Sequence, residues 1–161
     1  MVAAAARMAR RLALSQPDRV ILVGTAGAYP GGPDVGDVVT ASLIGLGSVA
    51  SARGLGYVPR APSPMPVTPL AGLRVCTVLS LTAITTDPEL ADEFARDWQI
   101  EHMEAFGVAT ACAAAGVPLT VVLGITNTVG PGAHAEWLAN RSDVEEAART
   151  AIREAIRGGA G

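Results

Sequence analysis

The feature that most limits how this chain can fold is the alternation of short apolar runs with helical patterns. Runs rich in β-branched residues predict strands at 19–23, 38–44, 73–81 and 119–123. Helical patterns are predicted at 2–15, 86–96, 104–115 and 142–157, and the alanine-rich first helix is expected to pack against the sheet. Strands that alternate with helices are typical of an α/β protein, and the run at 119–123 is apolar enough for burial on both faces.

Length and charge restrict the class of protein. The 161 residues, half of them apolar (50%), suit a single domain over 1–161 that buries a core without disulfides. The net charge of -3 combines 12 basic residues, all arginine, with 15 acidic ones. No basic surface of the kind that nucleic acid requires is expected, so nucleic acid is excluded as a partner.

The sequence also argues against a membrane or secreted protein. No run reaches the ~18 apolar residues that a bilayer span needs. The first arginines follow the apolar amino-terminal run, whereas a secretory signal places its positive charges before that run. We therefore expect a soluble, cytoplasmic protein without a membrane partner. Cys76 and Cys112 lie in apolar runs, where thiols usually pack as small hydrophobic groups.

Three segments suggest where loops and helices begin. Gly24–Gly27 follows an apolar run and is predicted to form a glycine-rich loop after a strand. The stretch 45–69, rich in glycine, serine and proline, is predicted to be a long loop. The sequences TDPE at 86–89 and SDVE at 142–145 have the pattern of helix starts, so the last helix is expected to begin at Ser142.

Three motifs together carry a family resemblance. They are VGTAGAYP at 23–30, HMEAFGVA at 102–109 and GITNTVGP at 124–131. Each is weak alone, but their order, their placement at strand ends and the separation of Glu104 from Asn127 resemble the nucleoside phosphorylase and nucleosidase family. Within the family, AGAYP, the asparagine of the third motif and a downstream Trp137 are most similar to the futalosine hydrolase branch, which releases hypoxanthine from a menaquinone precursor.

The resemblance implies a fold as well as an activity. It implies a three-layer α/β architecture in which helices flank a central mixed sheet. Family members carry further residues before the segment that matches the start of this chain, including sheet strands, an acid that activates water in the hydrolases and groups that contact phosphate in the phosphorylases. An amino-terminally truncated domain is thus expected to expose a sheet edge, and a homodimer is the expected remedy.

The chemistry assigned to Glu104 and Asn127 follows from the bond that the family cleaves. Breaking a glycosidic bond places positive charge on the ribosyl ring and negative charge on the base. The Glu104 carboxylate can accept hydrogen bonds from ribosyl hydroxyls, although a helix-start acid can also serve only the helix dipole. The Asn127 amide can meet a 6-oxopurine but cannot donate an acidic proton, as the aspartate of adenine-specific relatives does; a simple turn residue is the alternative.

The remaining predicted site residues shape the pocket. Gly24, Thr25, Ala26 and Gly27 would let backbone approach the nucleoside, and Met103 would pack on the ribose. Phosphorylases of the family carry an arginine where this chain has Leu22, so hydrolysis is favoured over phosphorolysis. His102 and His134 lack partner ligands, so no metal is expected, and His134 is predicted to lie in a loop near the site. No organic cofactor is expected. The predicted activity is an N-glycosidase acting on a 6-oxopurine nucleoside. A phosphorylase and a non-catalytic nucleoside-binding remnant are the alternatives.

Overall fold

The computed structural model describes residues 1–59 and 63–158. In chain order, its helices and strands are α1 (Val2–Ser15), β1 (Val20–Ala28), β2 (Val38–Leu46), α2 (Val49–Ala52), β3 (Met65–Pro66), β4 (Arg74–Ser80), α3 (Pro88–Phe94), β5 (Ile100–Glu101), α4 (Ala105–Ala114), β6 (Leu119–Thr128) and α5 (Ala133–Gly158). Strands and helices alternate as the apolar pattern predicts.

The strands form one mixed sheet in the order β3-β2-β4-β5-β1-β6. Neighbours β1 and β6, β2 and β4, and β4 and β5 run parallel, whereas β1 with β5 and β2 with β3 are antiparallel. A further antiparallel pairing of Val38–Thr40 in β2 with β6 curls the sheet back on itself. The expected α/β architecture with a central mixed sheet and flanking helices is confirmed.

The two faces of β6 show how the layers are arranged. Leu123 and Ile125 belong to the core cluster that also contains the α4 residues Phe106 and Cys112. Gly124 lies between them and points the other way, since a Cβ at this position would clash with Cγ1 of Val144 in α5. Helices α4 and α5 therefore cover opposite faces of β6, which is buried on both sides as predicted.

Helix α1 has its predicted bounds but not its predicted neighbour. The alanine-rich pattern favoured packing against the sheet, whereas α1 lies on α4, with Leu12 as its buried residue. Gly107 of α4 permits this close approach, because a Cβ there would be 2.7 Å from the carbonyl oxygen of Met1. Small side chains on both helices thus allow a second helical layer to form over α4.

Two predicted loops contain regular structure. Gly24–Gly27 is the second half of β1 and not a loop, because β6 continues to Thr128 and supplies parallel partners to each of these residues. In the stretch 45–69, β2 extends to Leu46, α2 follows, and β3 pairs with Ile44 and Leu43 of β2. Residues 60–62 of that stretch lie outside the described residues.

The last helix begins nine positions earlier than predicted, at Ala133 rather than Ser142. The capping pattern at 142–145 is in the helix interior, where Ser142 and Asp143 are exposed. Packing explains the difference, because Val144 and Ala148 are buried and Val144 rests on Gly124 of β6. Tertiary contacts therefore outweigh a local start signal. The helix start at 86–89 is confirmed, since Asp87 caps α3 by accepting the amide of Leu90 at 2.8 Å.

One edge of the sheet lacks a neighbour. Up to Ala26, β1 is paired with β6 on one side, and the described residues supply no strand on its other side. Val23 in this part of β1 is 36% exposed. Both cysteines are buried and unpaired, as expected for core thiols. In the part of the chain that the structure describes, no helix is long and apolar enough to cross a bilayer.

Candidate active site

A cleft of about 350 Å³ opens where the ends of β1 and β6 meet the starts of α4 and α5. Its size is in the range of small-molecule sites. Six of the predicted site residues line it: Thr25, Ala26, Gly27, Met103, Glu104 and Asn127. Gly24 does not; it lines a neighbouring hollow with Arg141. The structure thus brings together the three motifs that the sequence separates by about a hundred residues.

Glu104 stands at the first position before α4 and faces the cleft. Its carboxylate makes no capping hydrogen bond to the helix, and its side chain is 49% exposed. Met103, half-buried beside it, adds an apolar surface to the cleft wall. A carboxylate with open lone pairs next to an apolar wall is suited to accept hydrogen bonds from hydroxyl groups.

Asn127 lies near the end of β6 and is 7% exposed. Its amide is held on both sides: Oδ1 accepts the hydroxyl of Thr126 at 2.9 Å, and Nδ2 donates to the carbonyl oxygen of Thr128 at 3.2 Å. The pairing of β1 with β6 shifts register here, from Ala26 with Ile125 to Gly27 with Asn127. Such a bulge re-aims the following side chain, which explains why the Asn127 side chain reaches the cleft.

Gly27 has a second role that the sequence did not reveal. A Cβ on Gly27 would lie 2.7 Å from Nδ2 of Asn127 and 3.0 Å from Cγ2 of Val129. Gly24 similarly makes room for His102, whose Nε2 would be 3.3 Å from a Cβ there. Gly27 is therefore required by a neighbouring protein side chain as well as by any ligand that approaches the strand, and a side chain on Gly24 would press on His102.

A buried acid, Glu101, was missed by the sequence analysis. It accepts hydrogen bonds from the Tyr29 hydroxyl at 3.0 Å, from the Thr85 amide at 3.1 Å and from the Thr85 hydroxyl. Burial, followed by the nearby Glu101 carboxylate, raises the pKa of Tyr29 well above its usual range. The cluster ties the segment before α3, and with it Ile84 of the cleft wall, to β1 and β5. An acid three residues before Glu104 was the available signal.

Helix α5 closes the other side of the cleft. The indole Nε1 of Trp137 donates to the hydroxyl of Thr25 at 3.2 Å, and the ring stacks with His134 at 5.7 Å between centroids. Asn140 donates to the carbonyl oxygen of Thr126 at 2.9 Å, and Glu136 accepts the amide of Thr128 at 2.8 Å. His134, expected in a loop, is in the first turn of the helix. These contacts fix the strand end that carries the Asn127 amide.

The charges at the cleft are few. Glu101 and Glu104 are its acids, and no arginine is among the residues that line it in the described part of the chain. Burial of the ring, with a smaller effect of the positively charged amino terminus, lowers the pKa of His102 to about 4. Among residues 1–59 and 63–158, no group of three potential metal ligands comes together.

Comparison with known proteins assigns the family. Residues 1–157 match the family model described as the Phosphorylase superfamily. This chain belongs to that superfamily. The expected resemblance to nucleoside phosphorylases and nucleosidases is confirmed.

Two relatives within the superfamily are similar in sequence. The futalosine hydrolase of Thermus thermophilus is 34% identical over 155 residues, which cover 84% of this chain and 69% of that protein. The futalosine hydrolase of Streptomyces coelicolor is 31% identical over 136 residues, covering 74% of this chain and 58% of that protein. The chain thus spans 69% and 58% of the length of these two relatives.

Two solved structures share the fold of this chain. A futalosine hydrolase mutant of Helicobacter pylori matches with a TM-score of 0.83 at 14% identity, over 96% of this chain and 75% of that one. A 5'-methylthioadenosine/S-adenosylhomocysteine nucleosidase of Colwellia psychrerythraea, in complex with adenine, matches with a TM-score of 0.78 at 19% identity, over 96% and 74%. At such identities the likeness concerns the fold.

Proposed function

We propose that this chain is a nucleosidase that hydrolyses the bond between the ribosyl carbon and the base of a 6-oxopurine nucleoside, with futalosine as the leading substrate. The observation that carries the proposal is the presence of the Glu104 carboxylate and the Asn127 amide in one cleft. Similarity to two futalosine hydrolases supports the substrate class. In this proposal the activity serves menaquinone biosynthesis and takes place in the cytoplasm.

The sugar side of the reaction is assigned to Glu104. As the glycosidic bond breaks, positive charge develops on the ribosyl ring, and a nearby carboxylate stabilises it. The exposed Glu104 oxygens can also accept hydrogen bonds from ribosyl hydroxyls, which fixes the sugar relative to the bond that is cleaved. Met103 packs on the apolar side of the sugar.

The base side is assigned to Asn127. Its two intramolecular hydrogen bonds leave one Nδ2 hydrogen and one Oδ1 lone pair for a ligand. A 6-oxopurine carries an N–H donor next to an acceptor, which is a carbonyl oxygen or a ring nitrogen. The donor and acceptor of the Asn127 amide match this pair. Because the amide has no acidic proton, it stabilises the departing base by hydrogen bonding and not by proton transfer.

Phosphorolysis is the second enzymatic candidate, and the composition of the cleft disfavours it. Phosphate would need a cation, but the described lining residues include no arginine, and the chain has no lysine. Leu22, which stands where the phosphorylases carry an arginine, is half-buried and packs against the core. Water is therefore the favoured acceptor of the ribosyl group. The proposal requires no metal ion or organic cofactor.

A nucleoside-binding remnant without turnover is the third candidate, and product analysis separates all three. Futalosine and inosine would be incubated with the protein, with and without phosphate, and the products separated by chromatography. We expect hypoxanthine and free sugar at a rate independent of phosphate. Sugar 1-phosphate would assign a phosphorylase, and binding of hypoxanthine without turnover would assign the remnant. Glu104→Gln and Asn127→Ala are the controls, and both should abolish product formation.

A further inference from the structure

The first turn of α4 is capped by a side chain that lies outside the helix. Nδ1 of His102 accepts the backbone N–H groups of Glu104 at 3.1 Å and of Ala105 at 3.0 Å. The hydroxyl of Ser80 accepts the next one, from Phe106, at 3.0 Å. Helix starts leave such N–H groups without intrahelical partners, and here two buried side chains, Ser80 at the end of β4 and His102 directly after β5, supply the acceptors.

This arrangement leaves the Glu104 carboxylate unbound. A short polar side chain at the position before a helix usually turns back to accept the N–H group of the second or third helical residue. Glu104 occupies that position but makes no such bond. The N–H groups of Ala105 and Phe106 already donate to His102 and Ser80, so they are not free to bind the carboxylate, which stays half exposed in the cleft.

The hydrogen bonds also define the state of the imidazole. A nitrogen that accepts two N–H groups cannot carry a proton. Nδ1 is therefore unprotonated, and the one nitrogen-bound hydrogen of the ring is on Nε2. The 3.8 Å approach of Nδ1 to Oε2 of Glu104 is therefore not an ion pair. The ring is 7% exposed, and its Nε2 lies over Gly24, where any side chain would crowd it.

We propose that His102 is a positioning residue for Glu104: its neutral imidazole caps α4 through Nδ1 and thereby keeps the Glu104 carboxylate free and directed at the sugar of the ligand. The inference rests on the proposed function, in which Glu104 binds the ribosyl hydroxyls. It goes beyond the assignment of Glu104 because it names the group that holds this carboxylate available.

Two substitutions separate capping from simple packing. His102→Leu fills the space without an acceptor, whereas the side-chain oxygen of His102→Asn can still accept an amide at a helix start. Titration calorimetry would compare inosine, which carries the sugar, with hypoxanthine, which does not. We expect His102→Leu to weaken inosine binding about tenfold and to leave hypoxanthine binding unchanged, and His102→Asn to restore most of the loss. Equal losses for both ligands would overturn the proposal.

A double-variant cycle tests whether His102 acts through Glu104. Combining His102→Leu with Glu104→Gln should weaken inosine binding no further than Glu104→Gln alone, because the carboxylate that His102 serves is already gone. Additive losses would show that His102 contributes independently and would contradict the positioning role. Thermal melts of each variant confirm that the compared proteins are folded. If His102→Leu is unfolded, the same binding measurements and the cycle with Glu104→Gln are made with His102→Asn.

Nitrogen NMR of the imidazoles tests His102 without any ligand. The chain has two histidines, and His134→Gln identifies the signals of His102. We expect the His102 ring to be neutral and protonated on Nε2. In His102→Leu, the amide signals of Glu104 and Ala105 should lose the chemical shifts that indicate a hydrogen bond. A ring protonated on Nδ1 would overturn the proposal. If the native protein bound neither inosine nor hypoxanthine, the proposed function would fail, and these spectra would still decide the capping role.

Discussion

The amide of Asn127 occupies the space that a side chain on Gly27 would need. Nδ2 of Asn127 is 2.7 Å from the position of a Cβ on Gly27, closer than real contacts allow. The two residues are also directly paired between β1 and β6, immediately after the shift in register. A glycine on one strand thus permits the orientation of the asparagine on the next.

The variant Gly27→Ala tests this relationship. The added methyl group should displace the Asn127 amide, weaken hypoxanthine binding about tenfold and lower the free energy of unfolding by about 1–3 kcal/mol, as overpacking usually does. Calorimetry and urea unfolding measure the two effects. Gly56→Ala is the matched control, because a Cβ on Gly56 would meet no atom within 4 Å. Unchanged hypoxanthine affinity in Gly27→Ala would separate Asn127 from base binding.

The buried imidazole of His102 should make stability depend on pH. Its pKa is lowered from 6.5 to about 4, chiefly by burial. Between these two pH values the imidazole is protonated in the unfolded chain but neutral in the folded protein. The stabilisation is complete above pH 6.5 and is lost as the pH falls towards 4. By pH 4.5 the loss should be about 2–3 kcal/mol.

Urea unfolding of the native protein and of His102→Asn at pH 7.5 and 4.5 checks this expectation. Carboxyl groups titrate in both proteins, so the difference between the two proteins isolates the imidazole. The native protein should lose more unfolding free energy than the variant between the two pH values. Equal losses would mean that the His102 ring is not held neutral in the fold.

The hydroxyl of Tyr29 should stay protonated for as long as the protein is folded. Burial and the adjacent Glu101 carboxylate raise the pKa of this phenol far above its usual range. In an alkaline absorbance titration, Tyr29→Phe should therefore remove no ionisation signal below the pH at which the protein unfolds. The variant should also lose about 1–3 kcal/mol of stability, because it removes a hydrogen bond to the buried Glu101 carboxylate. If Tyr29→Phe showed less tyrosine ionisation than the native protein at a pH where both are folded, that result would contradict the buried hydrogen bond.

The unpaired side of β1 makes self-association an expected property. Strand edges with free N–H and carbonyl groups tend to be covered, and the segment Val20–Ala26 has a strand on one side only within the described chain. Sedimentation equilibrium should give the mass of at least a dimer. A concentration-independent monomer mass would contradict the homodimer prediction and leave this edge solvated.

The sequence predicted the elements that long apolar patterns define. The bounds of α1, the buried strand β6 and the helix start at 86–89 follow from local signals that tertiary structure does not oppose. The sequence did not predict the segments that become strands only because a neighbouring strand pairs with them. The glycines of β1 have low strand propensity and adopt strand geometry because β6 pairs with them. The two-residue strands β3 and β5 are too short to leave a period in the sequence.

Of the residues predicted for the candidate site, the structure brings all but Gly24 to one cleft, but the contacts that support them were not predicted. Motif order named Glu104 and Asn127, which the structure brings to one cleft. Glu101 and the capping role of His102 depend on partners distant in sequence, such as Tyr29, and on burial that no local pattern encodes. Side chains that hold a site in place are selected by three-dimensional neighbours, so single-sequence reasoning did not find them.

The identity of the base that the cleft accepts tests the central claim most directly. If the Asn127 amide recognises a 6-oxopurine, the native protein should bind hypoxanthine more tightly than adenine by about 1–3 kcal/mol, the cost of leaving a buried polar group unpaired. Asn127→Asp should shrink or invert that preference. Calorimetric titration of both bases against both proteins measures this without requiring turnover. Equal affinity of the native protein for hypoxanthine and adenine would contradict the account and remove Asn127 from the base-binding site.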